Sequence, residues 1–131
     1  MPLFYNRVER GNPGNPATPK KWYLILKSVG LVRTKEVARL MADETTLNPK
    51  EGEIALSQGG KIVGRLLKDG HTVQLEGLGT FYLTANSLSS ETKEEVTARN
   101  LKKLNIRFTP DPELQEAIDK AQLKPAADLS S

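Results

Sequence analysis

The sequence predicts an α+β domain: a helical hairpin, an antiparallel sheet and a short C-terminal helix, preceded by extra strands. Three observations carry this. Ile54, Ala55, Ile62, Val63, Leu66 and Leu67 recur at the 3.6-residue period of one helix face. After Gly70 the period becomes two, with Val73 and Leu75 alternating with Thr72 and Gln74. Gly77 and Gly79 then bracket a tight connection before Thr80-Phe81-Tyr82-Leu83 resumes as a strand. With 131 residues and 37% hydrophobic content, one domain with a modest core is expected, and a small core gains from a partner.

Taken in order, residues 3–9 carry Leu3, Phe4, Tyr5 and Val8 and read as a short strand. The stretch from Gly11 to Pro19 has Pro or Gly at nearly every second position, which forbids a ladder and favours an extended connection. Lys20 and Lys21 end it. Trp22-Tyr23-Leu24-Ile25-Leu26 is a continuous apolar run of strand length, consistent with a strand covered on both faces. Thr34 is suited to cap a first helix over 35–44, with Val37, Ala38, Leu40 and Met41 inward. Thr45-Thr46-Leu47 is short enough to fold two helices into a hairpin. The second helix starts at Pro49, where proline suits the first helical position. Asn48 accepts from an orphan N–H, Glu51 reaches back as a capping-box acid, and Gly70 supplies the left-handed stop.

Beyond the hairpin, Leu101, Leu104, Ile106 and Phe108 give the returning strand an apolar face, and Arg99, Lys102, Lys103 and Arg107 give it a cationic edge. Asp111-Pro112-Glu113 opens a last helix with acids at its positive end and Leu114, Ile118 and Ala121 inward; the segment from Lys124 onward should fray. The expected organisation is one domain over 1–121, comprising strand extension 1–30, helical hairpin 34–69, sheet 71–109 with its arm at 84–98, and helix 111–121, followed by a flexible tail at 122–131.

The stretch from Leu47 to Phe81, including Val73-Gln74-Leu75 and Gly77-Leu78-Gly79-Thr80-Phe81, resembles without a gap the second helix and first hairpin of the HU/IHF family of bacterial histone-like DNA-binding proteins. Phe108-Thr109-Pro110, with Leu114 and Ile118 behind it, resembles that family's closing strand and C-terminal helix, so the likeness covers about residues 33–121. It implies an HU/IHF-like fold, a homodimer, and double-stranded DNA as partner, bound without strong sequence preference in an architectural, nucleoid-associated role. The family's arm enters the minor groove and drives an apolar wedge between base steps.

Four features depart from the family pattern. The N-terminal strands are an addition, read as widening the sheet or as a separate partner-binding arm. Ser57-Gln58-Gly59-Gly60 replaces bulky apolar residues, so either another backbone approaches closely there or the helix kinks. The outgoing arm strand Leu83-Thr84-Ala85-Asn86-Ser87 has no basic residue. Glu91, Glu94 and Glu95 cluster at the tip, where Leu88 is the one large apolar residue between Ala85 and Val96 and the candidate wedge; its alternative is packing back on the sheet.

Charge is polarised. Residues 1–40 hold eight Lys/Arg against two acids, and the other residues hold eleven against fourteen, although the net charge is only +3. The candidate DNA contacts are therefore Lys102, Lys103 and Arg107, with Arg99 and the N-terminal Arg7, Arg10, Lys20 and Lys21 assisting. The rival expectation is an HU-like protein-interaction module that has given up DNA.

Other chemistry is absent from the pattern. There is no cysteine, and His71, the only histidine, follows a helix-ending glycine, with no Cys or second His to share a metal or activate a nucleophile. The glycines at 77–79 join strand to strand rather than strand to helix, which is not a phosphate-binding loop. No enzyme, cofactor or small-molecule substrate is expected. With no signal-type or membrane-spanning apolar run, the expected location is the cytoplasm.

Overall fold

Among the described residues, two three-stranded sheets and three α-helices make a mixed α+β structure. This computed structural model describes residues 2–11, 13–15 and 17–130, with Leu129 and Ser130 described by backbone alone. The chain divides into two units, Arg33–Glu116 and Met1–Val32 with Ala117–Ser131.

In the first of these, α1 (Thr34–Glu44) and α2 (Pro49–Lys68) form the helical hairpin. The Asn48 side-chain oxygen accepts from the Glu51 N–H at 2.9 Å, so α2 starts at the expected residue. Glu51 reaches back as well, but to the Asn48 side-chain amide at 2.7 Å. At the other end Gly70 has φ of 90° and the His71 N–H reaches the Leu66 carbonyl at 3.0 Å, a Schellman stop. Thr34 does not cap α1. It is already helical, and Arg33 occupies the cap position without a side-chain hydrogen bond.

The helices meet at Ala38 and Gly52, both buried, where a methyl group on Gly52 would lie 3.4 Å from the Ala38 Cβ. At Gly59 and Gly60 no described residue beyond the helix's own turns comes within 4 Å of such a methyl group, and α2 runs unbroken through them. Close approach within the chain thus falls at Gly52, one helical turn from the cap.

The sheet of this unit has the order β3 (Val73–Leu75), β4 (Gly79–Ser87), β5 (Leu101–Pro110), all antiparallel. Val73 is buried opposite Phe81, whose ring lies 4.9 Å from that of Phe108. Gly79 admits no side chain: a Cβ there would overlap the Thr109 carbonyl oxygen and stand 2.7 Å from the Phe108 ring. Asp111, just ahead of α3 (Pro112–Asp119), accepts from the Gly77 N–H and donates its own N–H to the Leu78 carbonyl.

The N-terminal strands do not widen that sheet. β1 (Leu3–Arg10) and β2 (Lys21–Lys27) pair antiparallel, and β1 pairs in parallel with β6 (Leu123–Pro125), giving a separate sheet of order β2-β1-β6. The C-terminal segment read as frayed is therefore ordered by a ladder with Leu3, Phe4 and Tyr5, followed by a 3-10 turn at Ala126–Ser130. Phe4 is buried on the central strand. β2 differs most from expectation: every residue of it is exposed, and it forms the margin of the sheet rather than its centre. Its apolar run signals strand formation rather than burial.

Candidate nucleic-acid interface

The β4–β5 ladder sorts the arm residues by face. Successive side chains alternate across a strand, so the pairs Phe81/Phe108, Leu83/Ile106 and Ala85/Leu104 share one face, and Thr80/Thr109, Tyr82/Arg107, Thr84/Asn105 and Asn86/Lys103 share the other. The first face is apolar and open to solvent; Ile106 is 70% and Leu104 57% exposed. The second is polar and contains no carboxylate along these pairs.

Lys103 and Arg107 stand on that polar face, four residues apart and exposed. Hydroxyl and amide groups surround them. The Asn105 amide donates to the Asn86 side chain at 3.3 Å, and the Thr109 hydroxyl lies 3.5 Å from the Tyr82 hydroxyl. Two cations among neutral donors and acceptors suit a run of phosphates, whose oxygens accept from Lys, Arg, Thr, Asn and Tyr alike.

Lys102 does not share their register. Asn86 pairs with Lys103 and Ser87 with Leu101, so Lys102 is the extra residue of a bulge. Arg99 lies outside the strand, in a 3-10 turn at Ala98–Asn100. Thus the ladder joins Lys103 to Arg107 and leaves Lys102 and Arg99 on the irregular shoulder.

The tip is a hydrogen-bonded structure. Asn100, which sequence reasoning passed over, donates from its side chain to the Leu88 carbonyl at 3.0 Å and the Ser90 hydroxyl at 2.9 Å. Its side-chain oxygen accepts from the Thr97 N–H at 2.9 Å, and the Thr97 hydroxyl accepts from the Arg99 N–H at 3.3 Å. The capping-box spacing from Thr97 to Asn100 was the available signal. Leu88 does not fold back onto the sheet: its N–H and carbonyl are held by Asn100 while the residue stays 52% exposed. Glu94 and Glu95 sit in a further 3-10 turn, Lys93–Glu95, and Glu91 just ahead of it.

Of the assisting N-terminal cations only Arg10 and Lys21 stand together. Arg7 shares a face of the β2-β1-β6 sheet with Leu24 and lies over the Tyr5 ring at 5.8 Å. Arg10 and Lys21 stand opposite each other on the other face, and Lys20 precedes β2. Arg39, by contrast, is already committed within α1, to Glu36 at 2.6 Å and Asp43 at 3.2 Å. Its guanidinium holds the Glu36 carboxyl below the usual carboxylate value, chiefly by hydrogen bonding. Among the described residues no cluster of His, Cys, Asp and Glu could hold a metal ion, and no helix is long and apolar enough to cross a membrane.

A family model described as "HU domain fused to wHTH, Ig, or Glycine-rich motif" matches residues 1–125. The fold is similar to the crystal structure of a Bacteroides vulgatus protein named as a candidate bacterial DNA-binding protein, with a TM-score of 0.65 and 15% sequence identity. That likeness covers 95% of this chain and 47% of the other, so the chain spans about half the length of that structure. No curated protein matches the chain by sequence.

Proposed function

The chain belongs to the HU-HIG family, the HU domains fused to a wHTH, Ig or glycine-rich motif, and from that premise we propose that it binds double-stranded DNA as a homodimer, through phosphates and without strong sequence preference. On this reading α1, α2, β3–β5 and α3 are the HU body, and its place of work is the nucleoid. The observation that carries the proposal is the acid-free polar face of the β4–β5 ladder, with Lys103 and Arg107 exposed among hydroxyls and amides.

The opposite face supports the dimer. Leu83, Leu104, Ile106 and Phe108 are exposed on it, and Val37, Leu40, Ile54 and Ile62 are exposed on the helical hairpin of the same unit. So much apolar surface in a single chain favours burial against a second copy. Lys103 and Arg107 are the principal phosphate contacts, with Lys102 and Arg99 beside them. Arg7, Arg10, Lys20 and Lys21 add attraction without direction. None has the helical context that base readout uses.

A DNA titration at two salt concentrations tests this. Each neutralised phosphate adds about −0.9 to the log–log slope, so on the order of four contacts give a slope near −4. Lys102→Glu with Lys103→Glu should remove most of the binding. Absence of binding at low salt, or indifference to that double substitution, would favour the second reading, a protein-interaction module, for which the observation is the acidic tip at Glu91, Glu94 and Glu95. Light scattering at micromolar concentration tests the dimer.

A further inference from the structure

Among the described residues, β2 carries none of the devices that keep a sheet margin from pairing. Protected edges are short, bulged, interrupted by proline, covered, or marked by a charge in mid-strand. β2 is seven residues long, pairs with β1 in one unshifted register, and has lysine only at its ends. Between those lysines Trp22, Tyr23, Leu24, Ile25 and Leu26 are all exposed, Trp22 at 67%. β1 occupies one side of β2, so the other row of backbone donors and acceptors has no strand.

The end charges say what kind of strand fits. Lys21 and Lys27 project from the same face, since their positions are six apart. Lys21 stands directly opposite Arg10, an arrangement of like charges that costs stability by itself. The two line a recess of about 290 Å³ with Gly11, Thr18, Pro19 and Tyr23, and no carboxylate lines it. The acid of this hairpin, Glu9, pairs across from Trp22 and so points to the other face. A second copy of the chain is a poor occupant. Pairing two β2 strands antiparallel about Leu24 would set Lys21 against Lys27 at both ends.

We propose that the outer edge of β2 is a peptide-docking edge, accepting by strand addition an extended segment whose apolar residues lie between two carboxylates six positions apart. Main-chain hydrogen bonds supply the attachment. One carboxylate relieves the Arg10–Lys21 repulsion, the other meets Lys27, and the apolar residues between them cover Tyr23 and Ile25. This surface lies in the unit of Met1–Val32 with Ala117–Ser131 and needs none of the arm residues assigned to DNA.

Trp22 is the only tryptophan in the chain and reports on this edge. The probe is a blocked peptide reading Glu-Thr-Val-Thr-Val-Thr-Glu, titrated against the whole chain while Trp22 emission is followed. The expected result is a saturable blue shift, at least about tenfold weaker when both Glu are replaced by Lys, and lost when alternate peptide amides are methylated. Lys21→Glu with Lys27→Glu, both at exposed ends, should reverse the preference, so that the Lys-flanked peptide binds better. Four results would overturn the proposal: no response of Trp22 to either peptide, equal binding of both, binding that survives amide methylation, or a response to short duplex DNA with none to the peptides. Removing the DNA contacts by Lys102→Glu and Lys103→Glu should leave the peptide titration unchanged, which keeps the two readings separable.

Discussion

The Asp111 carboxylate accepts a 2.6 Å hydrogen bond from the Gly77 backbone N–H, across 34 residues of chain. The Asp111 N–H returns a bond to the Leu78 carbonyl at 3.1 Å, so one residue ties the β3–β4 turn to the start of α3 from both its side chain and its backbone.

Asp111→Ala should therefore cost about 1–2 kcal/mol, the worth of a charge-assisted bond at a helix start. In a chain of this size that corresponds to a fall in Tm of several degrees, about 4 °C per kcal/mol. Asp111→Asn keeps an acceptor and should lose less. Thermal unfolding at matched chain concentration measures both, since the Tm of a chain that self-associates depends on concentration. Equal loss in the two variants would show that the bond to Gly77 is not the source.

The glycines should separate into two kinds. Gly79→Ala places a methyl group against the Thr109 carbonyl and within 2.7 Å of the Phe108 ring, both fixed by the β4–β5 ladder. We expect a loss above about 2 kcal/mol, as for other overpacked sites with strained backbone. Gly59→Ala and Gly60→Ala meet no described residue beyond the helix's own turns within 4 Å. In a lone chain each should stabilise the helix by about 0.5–1 kcal/mol. If a second copy's backbone packs there, self-association weakens instead. We expect weaker self-association, and sedimentation across a dilution series reads it directly.

Legibility in the sequence followed the range of the determining interactions. The start of α2 depends on Asn48 and Glu51, three residues apart, and its end on Gly70, so both could be read locally. The Lys103 and Arg107 pairing was half-legible: their spacing puts them on one face, but the bulge that displaces Lys102 arises between strands. The fate of the termini was not legible, because β6 owes its order to Leu3, Phe4 and Tyr5, more than a hundred residues earlier. β2 misled for a different reason. An apolar run records strand propensity and stickiness together, and only the sheet order distinguishes a covered strand from an open edge.

A small acid sensitivity is expected in α1. The Arg39 guanidinium lowers the Glu36 pKa, so folding is favoured by the pair above the ordinary carboxylate value, and the contribution fades as pH falls through the lowered value of the folded state. Both side chains are about half exposed and solvent screens the pair, so the effect is slight. Glu36→Gln should flatten this part of the acid limb in helix circular dichroism.

DNA held by this arm should be bent little. Kinking needs an apolar side chain driven between base steps, at a cost of a few kcal/mol per step that extra wrapped contacts must offset. Leu88 is exposed enough to be such a wedge, but its backbone is fastened at both N–H and carbonyl by Asn100, which limits how far it can be pushed into a groove. Glu94 and Glu95 sit close by in sequence, with Glu91 ahead of them, and oppose the phosphate approach that would seat the wedge. End-to-end energy transfer on a short duplex should accordingly change little on binding, and equally little with Leu88→Ala. Asn100→Ala removes the side-chain bonds to Leu88, Ser90 and Thr97 but keeps the bond from the Leu88 N–H to its backbone carbonyl, so it loosens the tip without altering its charge, and bending that stays small in this variant shifts weight to the glutamates. A triple change of Glu91, Glu94 and Glu95 to Gln should then raise both affinity and bend. A sharp bend in the unmodified protein, abolished by Leu88→Ala, would show instead that the fastening by Asn100 presents the wedge rather than restrains it.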